Sequence, residues 1–230
     1  MALKPVLAKE IYAAAFTKLV KDFGTLMKMV AIPYAAVVAL WFVPKPEPID
    51  EYGAMLLEWV AYTYVAVSVI RYAILGPESV TPLGVGQLGL RELRFFIFFA
   101  VIFLCAQILL GLTTLSLTLF PGLAGWELAL AIPIGIAVLS RFLLVFAAVA
   151  LDRDLSLLQS FKITRFHWLS VVLVGALIAA SMLIPSYLLF LVPEYYTLPL
   201  YMAISVIGFV YGSIGVAYLN EALTRRYRAR

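Results

Sequence analysis

The sequence holds one cysteine, one histidine and little charge, with Asp, Glu, Lys and Arg at 13% of its residues. That is about half the charged share of an ordinary soluble domain. Cys105 lies inside an apolar run and has no second cysteine, which excludes an intramolecular disulfide and a thiolate metal site. The lone His167 excludes a bis-histidine haem and leaves a zinc or di-iron site without its ligands. No phosphate-binding loop, dinucleotide glycine fingerprint or HExxH motif is present. The paired acids of lipid-alcohol phosphotransferases and the Lys/Arg/His set of membrane phosphatases are also missing. No catalytic residue, metal or cofactor is therefore expected.

Apolar surface dominates what is there, with 64% of 230 residues hydrophobic. A chain of this size has no interior large enough to hide so much, so lipid is the expected solvent for much of it. The first 22 residues have no uninterrupted apolar core and no small-residue cleavage site, so the first span is expected to insert itself. Six stretches are long enough to cross a bilayer: about 23–43, 55–75, 95–120, 126–151, 166–192 and 198–223. The predicted fold is an all-α integral membrane protein, one membrane domain over 1–230. Residues 3–21 predict an amphipathic surface helix, with Leu7, Ile11, Ala15, Phe16 and Leu19 at helical spacing. Ser156 and Gln159 form an S-x-x-Q capping box for a second short helix over about 157–165. Prolines 133 and 185 interrupt spans 4 and 5.

Charge fixes the expected orientation. Of 17 Lys and Arg residues, all but Lys45 and Arg141 fall on one side when the spans alternate. The positive-inside rule puts that side, with both termini, in the cytoplasm. The net charge of +4 is spread along one membrane face and does not signal nucleic acid. Lys18, Lys21, Arg153, Lys162, Arg165, Arg225 and Arg226 would face lipid headgroups, anionic ones included. The other reading of these charges is that they only obey the positive-inside rule. Three blocks of about 75 residues share a basic entry and an out-and-back pair of spans, which suggests parallel repeats or convergence of cytoplasmic junctions.

Arg141 is the sharpest polar feature inside a span. It lies ten residues before the end of span 4, so about 15 Å from the inner interface. Tyr64, Gln107, Tyr211 and Ser213 fall at similar depth and would complete a midplane pocket for an anionic group. Alternatively Arg141 snorkels or ties helices together. Arg71, one turn from the end of span 2, reads as a snorkelling side chain. Gly208-x-x-x-Gly212 on span 6 permits close helix packing, within the chain or across a homo-oligomer. His167 beside Trp168 reads as interfacial.

The segment from Ser140 to Trp168, with Arg141, Asp152-Arg153, Ser156-Leu157, Ser160 and Thr164-Arg165, resembles a junction in bacterial six-span membrane proteins. These are related to the membrane domain of glycerophosphodiester phosphodiesterases. Residues 71–94 are similar to six-span proteins of alphaproteobacteria. The likeness covers about a third of the chain directly, and two positions depart from it. The proline before Asp-Arg is absent, and Phe166-His167 replaces a Gly-Asn-like turn. These residues include no counterpart of the phosphodiesterase catalytic domain, so the resemblance implies a membrane module without hydrolase activity. The expected function is a non-enzymatic accessory or scaffold that binds membrane lipids or a membrane-protein partner. The alternative is a small transporter or flippase with its site around Arg141.

Overall fold

The computed structural model describes residues 8–42, 50–81, 89–119, 135, 137, 140–165, 167–176, 180 and 194–228. Every regular element among them is helical. The helices are α1 (Ala8–Lys21), α2 (Phe23–Phe42), α3 (Asp50–Leu75), α4 (Leu90–Leu119), α5 (Leu143–Ala150), α6 (Leu157–Thr164), α7 (168–176) and α8 (Glu194–Arg228). One-turn 3₁₀ segments at Pro77–Ser79 and Ser140–Phe142 follow α3 and precede α5.

Local chemistry explains the ends. Gly76 sits at φ 91°, a conformation costly for any residue with a Cβ, and Pro77 follows it. Together they stop α3. Gly89 starts α4: its N–H donates to Glu92 Oε2 at 2.9 Å, and its carbonyl accepts from Leu93 N–H. At α5 the chain closes a Schellman turn. Arg153 N–H donates to Ala148 O and Asp152 N–H to Val149 O, with Asp152 at φ 54° in the place that glycine usually takes. The expected capping box at α6 is present, with Ser156 Oγ accepting from Gln159 N–H and Gln159 Oε1 from Ser156 N–H.

The α3–α8 pair is the axis of the bundle. α2, α4 and α5 also pack on α3, and α1, α5 and α6 on α8. Three apolar clusters surround this axis. Leu26, Val69 and Ile214 centre the one between α1, α2, α3 and α8. Ile70, Phe95, Ala147 and Ala217 join α3, α4, α5 and α8. Ile11, Leu144, Val171 and Leu223 join α1, α5, α7 and α8.

By length and composition, one helix among the described residues, Ala203–Tyr227 within α8, suffices to cross a membrane. Ala8–Lys21 and Phe23–Ala39 meet the same test as a pair bent by 81°. α2, α3, α4 and α8 cover the expected spans 1, 2, 3 and 6. About half of expected spans 4 and 5, including Pro133 and Pro185, lies outside the described residues.

α1 differs from a helix simply lying on a surface. Ile11, Ala15 and Leu19 are buried against the bundle, while Phe16 and Val20 stay exposed on the adjoining arc. The expected face combined two surfaces, because apolar spacing alone does not separate a face packed on the bundle from an exposed one. Leu7 lies outside the described residues. Tyr12 O–H donates to Val174 O at 2.9 Å, and its ring meets Tyr211 edge-on at 5.5 Å. Burial, with Tyr211 alongside, pushes the Tyr12 phenol well above its usual range.

Candidate functional site

Two features stand out: a polar knot at one end of the bundle and an aromatic cleft between α3, α4, α5 and α8.

The knot is built from residues distant in the chain. Arg71, in the last turns of α3, donates from Nη1 to Asp152 Oδ2 at 2.6 Å and to Ala150 O at 3.1 Å. Its Nε donates to Ser79 O at 3.3 Å. Arg91 Nη1 reaches the same Asp152 oxygen at 3.1 Å, and Arg91 Nε donates to Glu92 Oε1 at 2.9 Å. One carboxylate thus joins α3, the start of α4 and the end of α5. The Schellman turn aims it there, because the left-handed residue reverses the chain. Burial pushes the Glu92 carboxyl upward. Bonds from Arg91, from its own N–H and from Gly89 N–H outweigh that and hold it below the usual carboxylate range.

Nearby pairs extend the pattern. Arg153 Nη1 meets Glu221 Oε2 at 2.9 Å, and Arg225 Nε meets Glu221 Oε1 at 2.7 Å. Lys18 pairs with Asp22 at 2.7 Å and lies 4.7 Å from the centre of the Tyr72 ring. The Lys18 hydrogen bond is the main cause that lowers Asp22. Lys18, Arg71, Arg91, Arg153 and Arg225 all belong to the side that the charge pattern treats as one face. Of the residues expected to face headgroups, Lys18, Arg153 and Arg225 are engaged in these internal pairs. Lys21, Lys162, Arg165 and Arg225 are exposed, and Arg226 is half-buried.

The midplane candidates occupy separate surroundings. Arg141 lies in the 3₁₀ turn before α5, its guanidinium carbon 5.5 Å from the centre of the Phe161 ring on α6. Its carbonyl accepts from Ser160 Oγ. Tyr64 lines a cavity of about 470 Å³ beside the knot, with Arg71, Ser79, Thr81 and Arg91. Tyr211 O–H donates to Tyr12 O at 3.3 Å, on the α1 side of α8. Ser213 Oγ donates to Phe209 O one turn back and borders the aromatic cleft. Gln107 is on α4, and its side chain lies outside the described residues. Gly208 and Gly212 are both buried in the chain's own bundle, and Gly212 borders the cleft.

The cleft encloses about 420 Å³. Its aromatic walls interlock: Trp59 meets Phe99 edge-on at 5.5 Å, and Phe95 packs at a tilt of 44° on Phe146 at 5.0 Å. Tyr62 packs at a tilt of 51° on Phe209 at 5.0 Å. Volume and lining are those of a small-molecule site. Sequence reasoning missed the cleft and the role of Asp152 and Glu92. The only local signals were the Gly89-x-x-Glu92 start and the Asp-Arg pair after an apolar run.

No protein-family model, no curated protein and no solved structure matches the chain.

Proposed function

We propose that this chain is a non-enzymatic, multi-pass membrane module of a bacterial inner membrane. It crosses six times with both termini in the cytoplasm and serves as an accessory or scaffold that binds lipid or a membrane-protein partner. One observation carries the reading. Leu90, Leu93, Ile97, Val101, Leu104 and Ile108 are all exposed and recur every three or four residues along α4. The stripe runs about 27 Å at helical rise, close to the ~30 Å hydrocarbon thickness, with Leu90 and Leu93 at its interfacial start. A soluble protein rarely leaves so continuous an apolar face in water. Ion pairs among the basic residues at one end of the bundle support the one-sided charge pattern and so the orientation.

Transport around Arg141 has less behind it, since Tyr64, Tyr211 and Ser213 lie in other surroundings. Mass spectrometry of the protein released gently from its native membrane tests the proposal. A stoichiometric membrane-protein partner or retained lipid is expected. A water-soluble chain released without detergent would overturn it.

A further inference from the structure

The aromatic cleft has two polar features that its walls leave unanswered. Thr63 is 4% exposed and borders the cleft, and its Oγ1 has no hydrogen-bond partner among the described residues. A helical threonine usually bonds the carbonyl one turn back, and a buried hydroxyl without a partner costs free energy. Glu58, half-buried and also on the lining, has no ion-pair partner among the described residues. No lysine or arginine appears among the described lining residues. A carboxylate within a span is expensive in lipid unless a cation meets it.

The dimensions limit what fits. Along α3 the lining runs from Glu58 to Ile70, about 18 Å at helical rise and a little more than one leaflet's hydrocarbon depth. Glu58 and Thr63 are separated by about 7.5 Å along the same axis. The occupant is therefore long and apolar, carries a hydrogen-bond acceptor part-way along, and bears positive charge at the end near Glu58.

We propose that this cleft binds one acyl chain of an amine-bearing phospholipid. The chain lies against Phe95, Phe99 and Phe146, an ester oxygen accepts from Thr63 Oγ1, and the ammonium sits beside Glu58. Lipids whose headgroup carries only negative charge are disfavoured by the same carboxylate. This rests on the membrane-module reading and names the lipid that the module would hold.

Trp59 lies in the cleft wall and supplies the probe. The other tryptophans are replaced (Trp41→Phe, Trp126→Phe, Trp168→Phe), and the protein is reconstituted in bilayers containing phosphatidylethanolamine or phosphatidylglycerol with brominated chains. At equal mole fraction, the brominated phosphatidylethanolamine is expected to occupy the Trp59 site about fivefold better, the ratio that about 1 kcal/mol from one ion pair gives. Glu58→Gln should bring the ratio to about one. Thr63→Val should weaken both lipids alike. A control places the sole tryptophan on the α4 stripe, as Ile108→Trp with Trp59→Phe, where both lipids should quench equally. Equal quenching of Trp59 by the two lipids, unchanged in Glu58→Gln, overturns the assignment. So does an unquenched Trp59 while Ile108→Trp is quenched, which leaves the membrane reading standing. If Ile108→Trp is not quenched either, both fall.

Discussion

Arg71 and Asp152, 81 positions apart in the chain, meet through a 2.6 Å bond, and Arg91 shares the same Asp152 oxygen. Removing that carboxylate leaves two guanidinium groups facing each other. Asp152→Asn keeps a residue type that tolerates φ 54° while deleting the charge. Bonds to charged groups contribute about 1.5–3 kcal/mol. Because Asp152 is 56% exposed, the loss should lie at the low end, lowering Tm by about 3–6 °C. Asp152→Val adds left-handed strain of about 1–2 kcal/mol and should unfold earlier still. Thermal unfolding of the three proteins in one detergent checks the order. An Asp152→Asn protein that melts with the wild type would show the knot to be without stabilising effect.

Acid should loosen the same knot. Glu92 is held below the usual carboxylate range, as is Asp22 at the α1–α2 corner. A lowered folded value means that these groups favour folding above their unfolded pKa, near ~4. That contribution is lost as pH falls through the folded value. Tm should stay flat from about pH 7 to 5 and fall below that. Glu92→Gln should start lower at pH 7 and decline less steeply. Lys18 is raised in the folded chain: burial opposes its charge, and the Asp22 pair prevails. Its contribution is complete below its unfolded pKa near ~10.4 and is lost as pH rises through the folded value. A parallel acid limb in wild type and Glu92→Gln would count against the assignment.

Much of the architecture was legible in the sequence because its causes are local. Hydropathy marked α2, α3 and α8, and Ser156 with Gln159 marked the start of α6. Rotation of each helix was not legible. For a chain proposed to lie in lipid, side chains that face a neighbour and those that face the bilayer are both apolar, so periodicity loses its contrast. Tyr64, Tyr211 and Ser213 are expected at similar depth by residue counting, yet they lie at the knot, against α1 and at the cleft. Arg71 looked like a snorkelling residue because its partners, Ser79, Ala150 and Asp152, come from two other parts of the chain. Nothing within one turn of Arg71 announces them.

Arg141 now has a specific neighbour to test. Its guanidinium lies 5.5 Å from the centre of the Phe161 ring, within the range where a cation–π contact contributes about 0.5–2 kcal/mol. Arg141→Leu and Phe161→Leu should each destabilise by about that amount, and the double variant by less than the sum. The Ser160 bond goes to the Arg141 carbonyl and should survive the side-chain change. A site that held an anionic ligand would behave differently. Arg141→Leu would then lose ligand binding at unchanged Tm, and Phe161→Leu would have no coupled effect. Thermal unfolding of the four-protein cycle separates the two.

Cys105 provides a reporter that needs no engineering. It is a free, exposed cysteine on α4, beside Leu104 and one turn from Val101 and Ile108 in the exposed stripe. Thiols react with maleimides as thiolates, and hydrocarbon disfavours that charged form. In sealed native vesicles, Cys105 should stay unlabelled by a membrane-impermeant maleimide added to either side. It should label fully once the membrane is dissolved in denaturing detergent. In a Cys105→Ser background, Lys21→Cys and Asp154→Cys, both at exposed positions, should label from the cytoplasmic side alone. Rapid labelling of Cys105 by the impermeant reagent in intact vesicles would place the α4 stripe in water. The six-span reading, which needs that stripe in lipid, would then fail at the observation that carries it.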